Sequence, residues 1–317
     1  MRAFVTGLDG FVGQWLAREL LASGDEVAGG SRNANPSYSI LSAEEGARIQ
    51  WFPFELQSGR QIAEALRAWQ PDAIYHLAAQ ASVKAGFEDP VGTIEANVMG
   101  TVRLMEACVK ATPNAAVLYA GSADAYGDVT PGELPLKESS PLRPGNPYAA
   151  SKAAGEVVAL QYAHTAPMRV VATRSFNHTG PGQRTAFAVP AFAAQIASIA
   201  RKRQPTVLRV GNLAPKRDFS DVRDVVRAYR LLIERGHAGG AYNVCSSTSV
   251  SMRAILDQLV ALAGIKVSID VDPTRLRPTD SPDVVGDNQK LHSHTGWRPA
   301  RPLTQTLRDV LEWEMQA

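Results

Sequence analysis

The chain has 317 residues, 45% of them hydrophobic and 20% charged, and a formal net charge of +2. That is an ordinary globular composition in a chain long enough to bury a large core. So small a charge, with no basic stripe and interleaved aromatics, argues against nucleic acid as a partner, and no run of about 18 apolar residues offers a membrane span. Two cysteines, Cys108 and Cys245, support neither a disulfide framework nor a zinc site.

The first residues read as a short buried strand, 3–6, followed by Gly7-x-x-Gly10-x-x-Gly13, which turns the chain into a helix over 11–23. Glycines in this pattern give a tight turn, close approach of backbone to a pyrophosphate and close packing of helix on strand. Phe11 and Val12 open the helix whose N-terminus would meet that anion. Opening directly into a strand, with no basic segment, apolar core and cleavage site in succession, the chain is expected to be cytoplasmic.

Strands follow at 26–29, 48–52, 73–77, 116–120 and 169–174, and helices at 59–70, 91–111 and 148–163. This alternation predicts an α/β fold, a Rossmann-type doubly wound parallel sheet with helices on both faces. Beyond residue 174 the rhythm breaks. Pro, Gly and Arg cluster at 179–184, 205–216 and 273–282, between helices near 190–201, 222–234 and 251–264. The stretch 187–200, interrupted by Pro190 and Gln195, reads as a core helix. The expected division is a dinucleotide-binding domain over 1–174, with 217–240 packing back on it, and a smaller α/β domain from 175–216 and 241–317. Six histidines are scattered, and the close pair His292 and His294 lacks the further ligands a metal site needs.

Tyr148 and Lys152 stand four residues apart in Asn146-Pro147-Tyr148-Ala149-Ala150-Ser151-Lys152. On a helix that spacing puts both side chains on one face. An ammonium beside a phenol lowers its pKa from about 10, and a tyrosine so tuned can pass a proton to or from a carbonyl or alcohol. The pair alone is common; joined to the glycine fingerprint it points to dinucleotide redox chemistry.

Together these residues resemble the extended short-chain dehydrogenase/reductase family, in its nucleotide-sugar branch, over nearly the whole chain. The likeness rests on Thr6-Gly7-x-x-Gly10-x-x-Gly13, His76-Leu77-Ala78-Ala79, Tyr148-x-x-x-Lys152, Arg174-Ser175-Phe176-Asn177-His178-Thr179-Gly180-Pro181-Gly182, Gly211-Asn212-Leu213, Arg217-Asp218-Phe219-Ser220-Asp221 and Arg277-Pro278-Thr279-Asp280. Within the branch it is greatest to the guanosine-diphosphate group, which includes reductases of GDP-4-keto-6-deoxy-D-mannose and the 4,6-dehydratases that make that keto sugar. In the dehydratases a Ser or Thr is followed two residues later by a Glu that removes the C5 proton. Here Ser122 is followed by Ala123 and Asp124, and aspartate is shorter by one methylene, roughly 1.5 Å. A carboxylate so displaced loses rate steeply, while carbonyl reduction needs no such base.

The resemblance therefore implies reduction of a 4-keto group to a GDP-6-deoxyhexose such as GDP-D-rhamnose. Tyr148 would be the general acid, Ser122 would hold the carbonyl oxygen, and Lys152 would hold down the Tyr148 pKa and bond the nicotinamide ribose. A dehydratase using Asp124, a 4-epimerase, and a non-catalytic dinucleotide-binding regulator stay as alternatives, the last opposed by the Tyr148/Lys152 pair. NADPH is the expected cofactor, with NADH the alternative. The second strand ends in Gly29-Gly30-Ser31-Arg32, and a hydroxyl and a guanidinium suit a 2′-phosphate where an acid would exclude it. Glu55 and Leu56 are expected beside the adenine, with Ala78 and Ala79 lining the groove and Asn97 on the following helix.

For the GDP-sugar the resemblance implies Asn177 on a phosphate or the sugar, Arg217 and Arg277 on the diphosphate, and Asp280 on the nucleoside ribose. Asn212 or Lys216 would seat the base, and Ser82 and Lys84 would approach the sugar. It also implies a homodimer through a four-helix interface of 91–111 and 148–163.

Overall fold

The computed structural model describes residues 1–273 and 281–316. Its strands are β1 (Arg2–Thr6), β2 (Glu26–Gly30), β3 (Ile49–Trp51), β4 (Ala73–His76), β5 (Ala116–Ser122), β6 (Val170–Ser175), β7 (Asn177–Thr179), β8 (Val207–Val210), β9 (Lys216–Asp221), β10 (Ala241–Val244), β11 (Ser249–Ser251), β12 (Ser268–Val271) and β13 (Asp283–Val284). The α-helices are α1 (Phe11–Ala22), α2 (Ala43–Ala47), α3 (Gly59–Trp69), α4 (Val83–Glu88), α5 (Pro90–Ile94), α6 (Gly100–Ala111), α7 (Pro147–Thr165), α8 (Ala188–Ala200), α9 (Val222–Arg235), α10 (Met252–Ala263), α11 (Gln289–Thr295) and α12 (Leu303–Gln316).

Seven strands form one parallel sheet in the order β10-β6-β5-β4-β1-β2-β3. Side chains alternate across it, so Val5, Tyr75, Leu118 and Val171 face α1, α9 and α11, while Phe4, Ile74, Val117 and Val170 face α3, α6 and α7. Both faces are covered, which is why these strands read as continuous apolar runs. Each fully buried aliphatic side chain contributes about 1.5–3 kcal/mol. The strand order reverses between β1 and β4, and ligands of such sheets bind in the crevice outside the carboxyl ends at that point.

The smaller region packs α8, α10 and α12 around Phe192, Ile196, Leu256 and Leu307. It carries a small sheet in which β9 is flanked by β11, β13 and β7, and a pair β8–β12. Helix α9 packs on α1 and on β5 and β6, on the larger domain. The expected boundary at 240 is crossed: β10 pairs with β6 and completes the large sheet. None of the described helices is long and apolar enough to cross a membrane.

One expected helix is not continuous. The segment 91–111 consists of α5, a π-helical turn over Glu95–Met99, and α6. The wider turn carries Asn97 inward, and such insertions recur at functional sites.

Candidate active site

Helix α7 starts where the sequence says it must. Asn146 caps it, its side-chain oxygen accepting from Ala149 N at 2.8 Å, and Pro147 occupies the first turn. Proline's missing N–H is harmless there and its fixed φ suits a helix start. Tyr148 is thereby set at the mouth of the sheet, with Lys152 one turn deeper. Ser122 ends β5 and lies in register with Ser175 of β6. Its hydroxyl lies close enough to the Tyr148 phenol to draw that pKa down and accepts from Asp124 N at 3.2 Å. Ser122, Tyr148 and Asp124 are thus brought together as expected from their motifs.

The electrostatics differ from the expectation. Burial pushes the Tyr148 phenol well above its ordinary value, the charge of Asp124 adds to this, and only the bond to Ser122 pulls it down. Lys152 does not offset them. Its ammonium donates to the Ala120 carbonyl at 2.5 Å and lies 4.9 Å from the centre of the Tyr119 ring. Burial lowers Lys152 itself to about 8. A neutral phenol beside a hydroxyl is arranged to donate a proton, and it stays protonated across the physiological range.

The turn after β1 fits a pyrophosphate. Gly7 has φ +72°, and a Cβ there would stand 3.0 Å from Ala78 Cα. At Gly13 an added Cβ would lie 2.3 Å from the Gly7 carbonyl oxygen. Only glycine allows this approach of helix, turn and the end of β4. Gly10 caps α1 without a side-chain bond, and no acid occupies the first turn, so an anion would face helix N–H groups and the positive dipole end. Phe11 stacks on His178 of β7, ring planes 7° apart, which sets the smaller region over the turn; Val12 packs on the core beside α9.

A chain of hydrogen bonds shapes the other wall. Ala78 N donates to Thr6 Oγ1 at 3.1 Å, Thr6 Oγ1 meets His76 Nδ1 at 2.9 Å, and His76 Nε2 meets Thr101 Oγ1 at 3.0 Å. Burial holds the His76 pKa down at about 3, so the ring is neutral and structural. Asn97 accepts from Gln80 N at 2.7 Å and donates to Gln80 O and to Ser151 Oγ at 2.9 and 2.8 Å. It thereby locks the Ala78–Ala79 loop to helix α7. The sequence placed Asn97 on a helix without a role, and Ser151 and His178 were unassigned. Their signal was present, since Ser151 lies inside the Tyr148–Lys152 motif and His178 follows Asn177.

Behind the site, Arg174 pairs with Glu156 of α7 at 2.7 Å and donates to the Tyr126 hydroxyl at 3.1 Å. Tyr126 in turn donates to Asn243 Oδ1 of β10 at 2.7 Å.

Around the far end of the crevice, Phe54 N donates to Ser31 O at 2.9 Å, bringing Glu55 and Leu56 beside Ser31. Glu55 and Arg32 are exposed and Leu56 is half-buried. The Ser31 hydroxyl, however, donates to Asp9 at 3.0 Å.

On the substrate side, Asn177 is exposed on β7 and pairs with Phe219 of β9. Arg217 of β9 donates to the carbonyls of Lys216 and Ser281 at 2.6 and 2.8 Å. Asn212 accepts from Ala214 N at 3.1 Å, closing its own turn, and Lys216 is exposed. Ser82 caps α4, a helix whose Gly86 packs against the Tyr148 backbone. The Lys84 side chain is 87% exposed and reaches along its own helix to Glu88 at 3.7 Å. Arg277 and Asp280 lie outside the described residues. His292 and His294 bond Trp297 O and the Tyr242 hydroxyl at 3.2 and 2.9 Å, and among the described residues no cluster of three or more His, Cys, Asp or Glu could hold a metal ion.

A glycine turn at the switch point of a parallel sheet, with a Ser-Tyr-Lys group beside it, defines an NAD(P)-dependent enzyme of the extended short-chain dehydrogenase/reductase type that modifies nucleotide sugars. The GDP-mannose 4,6 dehydratase family model matches residues 4–310, and the chain belongs to that family. It is 37% identical over 314 residues to a GDP-6-deoxy-D-mannose reductase of Pseudomonas aeruginosa, covering 99% of this chain and 97% of that protein. The structure of RMD from Pseudomonas aeruginosa complexed with NADPH superposes with a TM-score of 0.86 at 34% identity, covering 99% of both chains. A UDP-glucose 4-epimerase of Thermus thermophilus in complex with NAD superposes with a TM-score of 0.88 at 32% identity, covering all of both chains.

Proposed function

We propose that the enzyme reduces the 4-keto group of GDP-4-keto-6-deoxy-D-mannose to a GDP-6-deoxyhexose such as GDP-D-rhamnose. The observation that carries this reading is a complete Ser122–Tyr148 proton-donating pair beside a carboxylate at position 124 that is one methylene short of the dehydratase base. The likeness to the Pseudomonas reductase supports it.

Ser122 holds the carbonyl oxygen, and Tyr148 donates its proton to that oxygen as the alkoxide develops. A bound NAD(P)H would supply the hydride to C4, so that one C–H and one O–H bond form for each NAD(P)H oxidised. Lys152 would bond the ribose hydroxyls of a bound cofactor and steady the phenolate left on Tyr148, exchanging its contact with Ala120 O for these. Asn97 and Ser151 hold the loop and helix that position these groups. Asn177 would meet a phosphate or the sugar and Arg217 the diphosphate, and Asn212 or Lys216 would seat the base. NADPH is the cofactor favoured by Arg32 and by the NADPH-bound relative.

A homodimer belongs to the same reading. Val91, Ile94, Met99 and Val157 are exposed on α5 through α7, Val91 at 79% and Val157 at 64%, and an apolar surface of this kind marks an interface. The buried, unpaired state of Cys108 and Cys245 accords with a cytoplasmic location.

The test is cofactor stoichiometry with the keto sugar. One NAD(P)H consumed per GDP-6-deoxyhexose supports the reductase. Conversion of GDP-mannose with no net cofactor use would show a 4,6-dehydratase working through Asp124, and interconversion of C4 epimers would show an epimerase.

A further inference from the structure

The end of β2 carries no acid, yet a carboxylate stands there. Asp9 comes from the glycine turn, between Gly7 and Gly10, and its Oδ2 accepts from the Ser31 hydroxyl at 3.0 Å and from the side-chain amide of Asn33. The loop that brings these donors is fixed. Gly7 N donates to Gly30 O at 2.8 Å, Asn33 N to Ser31 Oγ at 3.1 Å, and Trp51 Nε1 to Asn33 O at 3.0 Å. In a sheet of this kind the end of the second strand meets the adenosine ribose, and an acid there bonds its 2′-hydroxyl. Here an acid from a different part of the chain is held at that strand end by Ser31 and Asn33. Both of its hydrogen-bond partners are neutral donors, and it takes up the Ser31 hydroxyl that would otherwise serve a phosphate. Arg32, exposed beside it, pulls the other way.

We propose that Asp9 reads the 2′ position of the cofactor's adenosine ribose, accepting a hydrogen bond from a 2′-hydroxyl and opposing a 2′-phosphate. Arg32 and Asp9 then act against each other: Arg32 keeps NADPH usable, and Asp9 limits how far it is preferred over NADH. The inference rests on the dinucleotide site of the proposed function and not on its sugar substrate.

Titration calorimetry of the full chain with NADP⁺ and with NAD⁺, without sugar nucleotide, tests it. In Asp9→Asn the affinity for NADP⁺ should rise about tenfold, the order expected when one charge near a phosphate is removed in a largely aqueous setting. Affinity for NAD⁺ should hold or fall. Asp9→Ser repeats the measurement with a smaller side chain, and a melting curve on each variant confirms folding. An NADP⁺ to NAD⁺ affinity ratio unchanged in both variants, or shifted toward NAD⁺, overturns the proposal. Binding of neither dinucleotide to the wild-type chain overturns it together with the cofactor site. Dinucleotide binding with the expected shift, but no reduction of the keto sugar, leaves this inference standing and removes the reductase.

Discussion

Replacing Tyr148 by Phe deletes one hydroxyl and little else. The backbone at 148 still packs against Gly86, Asn146 still caps α7, and Lys152 keeps its bond to Ala120 O. The lost contact is that of the phenol with the Ser122 hydroxyl; even a full hydrogen bond is worth only about 0.5–1.5 kcal/mol against a folding stability of about 5–15 kcal/mol, so the variant folds. The chemical loss is larger. Removing a positioned general acid costs about 10²- to 10⁴-fold in rate, or ~2.7–5.5 kcal/mol of barrier. The dinucleotide turn around Gly7 and Ala78 is untouched, so affinity for NAD(P)H, read by nicotinamide fluorescence, stays within about threefold of wild type. Turnover, read as loss of nicotinamide absorbance with the keto sugar, falls at least a hundredfold. A Tyr148→Phe enzyme that keeps more than about a tenth of wild-type turnover would refute the assignment of the phenol as proton donor.

Burial holds Lys152 down to about 8, against about 10.4 in an unfolded chain. Between those values the unfolded state binds the extra proton, so this lysine opposes folding below pH about 8 and stability rises with pH above it. Thermal melting from pH 7 to 10 should show that rise in wild type relative to Lys152→Met, and parallel curves would contradict it. Glu156→Gln leaves Arg174 buried without its counter-charge, the two side chains being 4% and 9% exposed, and should lower the unfolding free energy by about 3 kcal/mol in urea titration. A loss under about 1 kcal/mol would show that the pair is not what joins α7 to β6. Burial and the Asp124 charge both raise the Tyr148 pKa, so Asp124→Asn should move the ionisation of that phenol to lower pH. A difference titration against Tyr148→Phe reads this directly, and no movement would mean that the carboxylate does not face the phenol.

The parts of this fold legible in the sequence are those decided locally. Strands β1, β4, β5 and β6 are apolar on both faces and could be read as runs. Helix α7 was marked by Asn146-Pro147, and Tyr148 and Lys152 by their own spacing. Strand β10 was missed because it includes Asn243, whose side chain is buried in bonds with Tyr126 and the Leu136 carbonyl, so a polar residue hid an interior strand. The π turn was missed because the apolar period continues through 91–111, and only the contacts of Asn97 with Gln80 and Ser151 fix the wider turn. The surface pair of Lys84 with Glu88 follows from four-residue spacing on a helix. Asp9 had no local signal at all, since its meaning comes from the end of β2 folding back on it.

The central claim is that hydride goes to C4 of a nucleotide-linked keto sugar and stays there. Incubation with NADPH deuterated on the transferred position and GDP-4-keto-6-deoxy-D-mannose, followed by mass and proton spectra of the product, measures this directly. The account predicts one deuterium, at C4, in a GDP-6-deoxyhexose, with one equivalent of NADP⁺ formed. A sugar nucleotide converted without deuterium, or GDP-mannose turned to the keto sugar with the cofactor unconsumed, would contradict it.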